Sequence, residues 1–144
     1  MSSVRMRIVE RKDNSKKVIS TYEAALRQII AKGLQDTRNT AVQSIHSISS
    51  GGETYEKYNP RRTHTASKAG DPPNTDTGYL ANNIFAIQDA DGMGGQVESR
   101  ADYSEHLEFG TRTMFARPFL QPALEENRPK IRAMFARLKS RGAK

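Results

Sequence analysis

The sequence predicts an α+β fold in which a long N-terminal amphipathic helix and a C-terminal helix pack on a small, mainly antiparallel sheet with a β-hairpin. Apolar residues recur at steps of three and four over residues 18–48 and again over 118–138, which indicates two amphipathic helices. Between them, two strand-like segments flank a glycine-rich turn at residues 89–95. The length of 144 residues indicates one domain with a single core.

We expect three parts along the chain. Residues 1–17 form a basic N-terminal strand or arm, residues 18–140 a single α+β domain, and residues 141–144 a basic tail. Partial alternation over residues 4–11 predicts a strand at a sheet edge, since its charged face would discourage unwanted pairing. Only 35% of the residues are hydrophobic, so we expect part of the chain to be loop or to depend on partners for stability.

The helical pattern over residues 18–48 is the longest in the chain. Ser20 is the predicted N-cap, with Glu23 completing a capping box, and Gly33 weakens the helix by about 1 kcal/mol without ending it. The Ser-Ser-Gly-Gly run at 49–52 ends it. A helix of about 30 residues would be roughly 45 Å long, more than one small core can cover. We therefore expect part of it to lean on a neighbouring subunit.

Residues 49–77 contain almost no apolar side chains and three of the six prolines, which predicts a long polar surface loop or extended arm. Loops this long in a compact domain are usually functional or disordered. Basic and aromatic residues of this segment could contact phosphate or stack on bases: Arg61, Arg62, His64, Lys68, Tyr55 and Tyr58. A solvated loop that becomes ordered on assembly is the favoured alternative.

A short helix, capped by Asp76 or Thr77, is predicted next. It leads into a hairpin whose strands cover residues 84–90 and 96–100, joined by a turn in which glycines supply positive φ angles at low cost.

The segment 101–124 has the densest concentration of apolar, glycine and proline residues, including three of the five phenylalanines. We take it as the hub of the core, because aromatic burial is the largest single-residue contribution to a core. Its pattern predicts a short helix, Gly110 as the residue that stops it, a loop, and a last helix that starts at Pro118. The apolar phase of that helix continues across Pro129, which is therefore interpreted as a kink within one helix.

The net charge of +7 is concentrated at the two ends of the chain. Residues 1–20 carry a net charge of +4 and residues 128–144 a net charge of +7, so the body is mildly acidic. The ends are either solvated tails, with a favourable helix-dipole term at the C-terminus, or contacts for nucleic acid or an acidic partner. The candidate contacts are Arg5, Arg7, Arg61, Arg62, Lys139 and Arg141.

No catalytic, cofactor-binding or metal-binding set is recognisable, and we expect the protein not to be an enzyme. The chain has no cysteine, which excludes disulfides and cysteine-based zinc sites, and its three histidines lack metal-ligand spacing. The glycines near residue 92 lack the lysine and following helix of a phosphate loop. No apolar run approaches the roughly 20 residues that span a bilayer, and the N-terminus lacks a signal-peptide pattern.

The stretch YSEHLEFGTRTMFARPFLQPAL resembles the signature of a family of small tailed-bacteriophage proteins called minor tail component, neck or tail-completion proteins. An upstream stretch, GDPPNTDTGYLANNI, is similar to the proline-bearing loop and Thr-Gly-x-Leu step of the same family. The resemblance covers about residues 18–140, and Asn83 stands where a serine is common. The matching positions are Thr77, Gly78, Leu80, Tyr103, Glu108, Phe109, Gly110, Thr111, Arg117, Pro118 and Phe119.

The resemblance implies a virion structural protein at the head–tail junction, assembled in the host cytoplasm. It implies a homo-oligomeric ring, hexameric or alternatively twelvefold, in contact with head connector or stopper proteins and with the tail tube or tail terminator protein. Genomic DNA would pass through the lumen, and no membrane is involved.

The family positions have physical roles in such a protein. The glycines at 78 and 110 permit turns, and Pro118 sets the start of the last helix. Three apolar residues would lock that helix onto the sheet: Phe109, Phe119 and Leu120. Glu108 and Arg117 are candidates for a pair that fixes the loop between them, within a subunit or across the ring, the alternative being an exposed pair worth under about 1 kcal/mol.

The alternative function is a nucleic-acid-binding module that uses the basic ends and the Arg61–Arg62 loop. The phenylalanine-rich hub counts against it, because it is typical of a core rather than of a base-stacking platform.

Overall fold

The computed structural model describes residues 14–47, 51–58 and 61–142. The strand predicted for residues 4–11 lies outside the described residues. The elements in chain order are α1 (Ser15–His46), β1 (Gly51–Tyr58), β2 (Arg61–Ser67), α2 (Tyr79–Asn82), β3 (Ile84–Gln88), β4 (Gly95–Ser99), α3 (Ser104–Phe109) and α4 (Leu120–Gly142). The predicted α+β class is confirmed, but the strands form two separate antiparallel pairs, β1–β2 and β3–β4.

Helix α1 confirms the predicted long helix, although its start is different. It begins five residues before the predicted cap Ser20, whose hydroxyl instead donates to the carbonyl of Lys17 within the helix (3.0 Å). Its buried residues recur at steps of four: Gly33, Thr37, Ala41 and Ile45. This stripe faces α4, and a Cβ at position 33 would lie 3.0 Å from Ile131 of that helix. The glycine that weakens α1 locally therefore lets the two helices approach closely.

Strands β1 and β2 pair antiparallel as the hairpin β1–β2, so the prediction of a loop over residues 51–58 and 61–67 is wrong. The two strands are joined by cross-strand side-chain contacts as well as by their backbones. The hydroxyls of Thr54 and Thr65 lie 2.9 Å apart, and Tyr55 meets His64 edge-to-face with 5.4 Å between ring centroids. The hairpin escaped sequence analysis because most of its side chains are exposed, so no apolar alternation marks it.

The predicted short helix and second hairpin are confirmed as α2, β3 and β4. Hydrogen bonds between side chains and backbone carbonyls join this hairpin to α1 in both directions. The Nε of Arg38 donates to the carbonyl of Ile84 (3.0 Å), while the side-chain amide of Gln88 donates to the carbonyl of Arg27 (3.0 Å). The sheet β3–β4 is thereby fixed along α1.

Helix α4 is a single helix that contains Pro129, as predicted. Two turns after its start, the buried amide of Asn127 donates to the carbonyl of Ala123 and to the hydroxyl of Thr40 on α1, both at 2.8 Å. The core gathers where α1, α2, β3 and α4 meet, and its members are Ala41, Ile45, Leu80, Ala81, Ile84, Ala101, Phe119 and Ala123. Among the described residues, no helix combines the length and apolar character that crossing a membrane requires.

Candidate functional site

Most residues of the stretch YSEHLEFGTRTMFARPFLQPAL build one structural unit, the clasp, which we define as residues 104–121. It runs from α3 through a loop to the first turn of α4. The carboxylate of Glu108 accepts three backbone N–H groups at the start of α4: Phe119 (2.9 Å), Leu120 (3.0 Å) and Gln121 (2.8 Å). Amides at a helix start lack partners within the helix, and the helix dipole favours a negative charge there. Glu108 therefore caps α4 from a neighbouring helix.

Arg117 bonds to a different part of the molecule, so Glu108 and Arg117 do not pair within the subunit, and a pair across the ring stays a prediction. The Nε of Arg117 donates to the backbone carbonyl of Ser67 at the end of β2 (3.2 Å). Its backbone N–H donates to the carbonyl of Leu107 (2.6 Å). Both side chains do fix the loop between them, but each bonds to backbone rather than to the other.

Gly110 turns the chain out of α3, as its place in the motif predicts. Its φ of 76° and ψ of 177° lie in a region that is essentially restricted to glycine. A Cβ at this position would lie 2.8 Å from the backbone N of Ala116 and from the carbonyl oxygen of Met114. Thr111 then closes the loop, since its N–H donates to the carbonyl of Met114 at 2.8 Å. No other residue type fits position 110 without moving the loop.

The aromatic residues of the hub, residues 101–124, differ in how deeply they are buried. Phe119 is only 1% exposed and lies in the core, whereas Phe109 and Phe115 are 78% and 80% exposed. The prediction that Phe109 locks the last helix onto the sheet is therefore wrong. Tyr103 is also partly exposed and lies beside Tyr79, with 6.1 Å between ring centroids. Aromatic density correctly marked the segment, but it gave no information on which rings point inward.

The upstream motif forms the turn before α2. Gly78 has a φ of 77°, and its N–H donates to the hydroxyl of Thr75 (3.1 Å). The hydroxyl of Thr77 accepts the N–H of Tyr79, the first residue of α2 (3.4 Å). Leu80 is buried in the core. The two motifs thus meet through the Tyr79–Tyr103 contact and flank the same part of the core.

Asp76, within that turn, ties it to the hairpin β1–β2. Its carboxylate pairs with the ammonium of Lys57, with the guanidinium of Arg62 (3.1 Å) and with Nδ1 of His64 (3.8 Å). The hydrogen bond from Lys57 lowers the pKa of Asp76 most; burial opposes it, and the charges of Lys57, Arg62 and His64 lower it further. The pKa of Tyr103 is raised, mainly by burial and to a lesser extent by the neighbouring Tyr79 and Asp76.

Two candidate nucleic-acid contacts in the hairpin are engaged within the chain. Arg62 pairs with Asp76, and the guanidinium of Arg61 lies 3.6 Å from the carboxylate of Glu56. These ion pairs reduce the positive charge that the hairpin offers to a phosphate backbone.

The basic residues at the end of α4 differ from those of the hairpin in their ion pairing. Lys139 and Arg141 lie exposed in its last turn, and neither forms an ion pair with any residue that the structure describes. Arg5 and Arg7 lie outside the described residues. Of the candidate contacts that can be placed, those at the C-terminus therefore remain the most accessible to an anionic partner.

Sequence analysis missed an apolar groove of about 840 Å³ that is open to solvent. It lies between α1 and α4 and is flanked by β4 and α3. The apolar side chains that line it are Ile30, Leu34, Val97, Phe109, Leu120, Leu124, Ile131 and Phe135. The periodicity of α1 and α4 showed that these side chains share helix faces, but only their arrangement in space shows that nothing in the described residues fills the space between them.

No grouping of His, Asp and Glu within the described ranges could hold a metal ion. Comparisons of the chain with protein-family models, with curated proteins and with solved structures gave no significant match.

Proposed function

We propose that this protein is a structural component of a bacteriophage virion. It forms a neck or tail-completion ring at the head–tail junction, joins the tail to the DNA-filled head and surrounds the DNA channel. The proposal combines the motif resemblance with one structural observation, which is the extent of apolar surface that the described residues of one subunit leave uncovered.

That surface includes the open groove and the exposed side chains of Phe109 and Phe115. Soluble monomers rarely expose contiguous apolar patches of more than a few hundred Å², and larger patches mark interaction sites. Further large apolar side chains are exposed near the start of α1, where Val18 and Ile19 extend beyond the core. A ring of identical subunits would cover these surfaces by repeating one contact around a closed circle.

In this role the protein acts through its shape. Each subunit contacts its two neighbours in the ring, and the ring presents one face to the head connector or stopper and the other to the tail tube or terminator. The clasp supplies a rigid element for such contacts, because Glu108 and Gly110 fix it at both ends. No substrate or cofactor is required.

A second candidate, a nucleic-acid-binding module, is favoured by the free basic residues at the end of α4. Binding of this kind would be electrostatic and would weaken steeply with salt. The ion pairs of Arg61 and Arg62 argue against the hairpin as its main contact. In the leading proposal, the same C-terminal charge would face DNA in the channel.

The test is the phenotype of phage that lack this gene. We expect filled heads and separate tails that fail to join, or tails with an abnormal end, when lysates are imaged by electron microscopy. Adding the purified protein should restore joined, infectious particles. Normal joined particles from the deletion strain would contradict the proposal. Salt-sensitive binding of the isolated protein to duplex DNA, combined with normal particles, would favour the second candidate.

A further inference from the structure

The loop of the clasp holds one aromatic side chain rigidly in solvent. Residues 111–117 are fixed by hydrogen bonds at both ends: the N–H of Thr111 donates to Met114, and that of Gly70 donates to the carbonyl of Ala116 (2.9 Å). Phe115 lies on this loop and is 80% exposed. A preorganised aromatic side chain loses little conformational entropy on binding, which is the property of an interface anchor.

The groove between α1 and α4 has the chemistry to receive such an anchor. Its apolar walls come from Leu34, Leu124, Ile131 and Phe135, and its volume of about 840 Å³ is ample for a phenylalanine with its neighbours. None of residues 111–117 lines it, so the exposed loop does not occupy the groove of its own subunit.

The charges beside the two surfaces are opposite. Glu105 lies at the α3 side of the groove, and Arg112 lies on the loop three residues before Phe115. Both side chains are exposed, and neither forms an ion pair with any residue in the described part of the chain. The chain therefore has an apolar projection, Phe115, with the cation of Arg112 nearby, and an apolar groove with the carboxylate of Glu105 at its side.

We infer that Phe115 of one copy of this chain inserts into the α1–α4 groove of the next copy, with Arg112 beside Glu105. Where the second copy in turn inserts its own projection into a third, the contact is heterologous, and it generates either a closed ring or an open filament. The inference rests on the proposed function and deepens it, since it assigns the subunit interface of the ring to specific residues.

Disulfide trapping tests the contact directly, because the chain has no cysteine of its own. Phe115→Cys and Leu124→Cys are made as separate proteins, and are mixed and oxidised. We expect a crosslinked dimer from the mixture and little from either protein alone, and the protein that carries both changes should give a ladder. Tyr58→Cys replaces Phe115→Cys in the control, because Tyr58 is equally exposed (79%) and lies on the hairpin; it should not crosslink with Leu124→Cys.

A charge exchange tests the second element of the contact. Arg112→Glu and Glu105→Arg should each reduce the crosslink yield several-fold, since exposed ion pairs contribute up to about 1 kcal/mol. Combining Arg112→Glu on the Phe115→Cys protein with Glu105→Arg on the Leu124→Cys protein should restore the yield. The far-ultraviolet circular dichroism spectrum of every variant, without oxidant, should match that of the parent protein, which excludes misfolding as the cause.

Other results would overturn the inference. A crosslink between two Phe115→Cys proteins would indicate a two-fold contact. If Met6→Cys crosslinks to Leu124→Cys and Phe115→Cys does not, the groove is occupied by the N-terminal segment. Full restoration of joined particles by Phe115→Ala protein, in extracts of a deletion strain that makes unjoined heads and tails, would refute the interface while leaving the head–tail function intact. Normal particles from the deletion strain would instead refute the function.

Discussion

The clasp and the hairpin β1–β2 both fix irregular segments against the rest of the domain, but they use different forces. The clasp combines a buried phenylalanine, Phe119, with a carboxylate that accepts three backbone amides at the start of a helix. The hairpin is held to the turn at residues 75–78 mainly through Asp76 and its cationic partners, and most of its side chains remain exposed.

This difference predicts different responses to mutation and to solvent. Apolar burial and backbone geometry in the clasp are insensitive to salt, and losing them should destabilise the whole domain. The ion pairs of the hairpin are screened by salt and respond to pH, so their loss should affect stability less. The four changes below test this contrast, in order of decreasing expected effect.

The largest effect is expected from Phe119→Ala. Removing a buried phenylalanine leaves a cavity in the core and should lower the free energy of unfolding by about 3–5 kcal/mol. Urea denaturation followed by circular dichroism measures this. Phe109→Ala is the matched control, since Phe109 is exposed in the same segment of the single subunit, and at dilutions where the subunits are dissociated it should change the free energy of unfolding by less than about 0.5 kcal/mol. Equal losses for the two variants would contradict the assignment of Phe119 as the core residue of the clasp.

The next effect is expected from Gly110→Ala. The backbone conformation costs a non-glycine residue about 1–3 kcal/mol, and the added Cβ would press on the backbone of residues 114–116. We expect a loss of about 2–3 kcal/mol in the free energy of unfolding. Gly70→Ala is the control, because Gly70 also has a positive φ (86°) but has open space where a Cβ would be added. A loss for Gly110→Ala no greater than that for Gly70→Ala would show that the loop yields to the added group.

Glu108→Ala should lower the free energy of unfolding by about 1–2 kcal/mol, because three amides at the start of α4 lose their acceptor. Glu108→Gln keeps one acceptor oxygen but loses the charge, so it should fall between wild type and Glu108→Ala. Hydrogen exchange of the amides of Phe119, Leu120 and Gln121 reports the cap locally. Their exchange should accelerate in Glu108→Ala, and unchanged exchange rates would refute the cap.

Asp76→Asn should have the smallest effect, about 1 kcal/mol at neutral pH. The lowered pKa of Asp76 fixes the sign of the pH dependence. The ionised carboxylate stabilises the fold above its ordinary pKa of 3.8, and this contribution is lost as the pH falls through the lowered folded-state value. The difference in stability between wild type and Asp76→Asn, measured by thermal unfolding, should therefore shrink as the pH falls below 3.8, and it should also shrink at high salt.

A carboxylate in a simple helical pair is the control for Asp76. Asp36 pairs with Lys32 one turn away on α1 (3.1 Å), and Asp36→Asn should cost only about 0.3–0.5 kcal/mol. A cost for Asp76→Asn that is no larger, or that does not depend on salt, would show that the ion pairs of the hairpin contribute little to holding it.

Local patterns in the sequence predicted much of the fold. The steps of three and four gave α1 and α4 because a helix that packs on a core must repeat its apolar residues with the period of the helix. The persistence of that phase across Pro129 correctly predicted one helix. Gly92 and Gly110 have the positive φ angles expected in the turn of the second hairpin and at the end of α3, whereas Gly94 and Gly95 do not. The capping box at Ser20 failed, because α1 already begins at Ser15 and the hydroxyl of Ser20 donates to the carbonyl of Lys17 within the helix.

What the sequence by itself determined is therefore the class of the fold, the two long helices, the β3–β4 hairpin and the position of the clasp. Only the tertiary structure decided that residues 51–58 pair with residues 61–67 as strands, that Glu108 caps α4 while Arg117 bonds to β2, and that Phe119 is buried while Phe109 and Phe115 are exposed. The physical reason is distance along the chain. Periodicity and turn chemistry act over a few residues, whereas these contacts join groups up to 50 residues apart and depend on the direction of each side chain in the assembled domain.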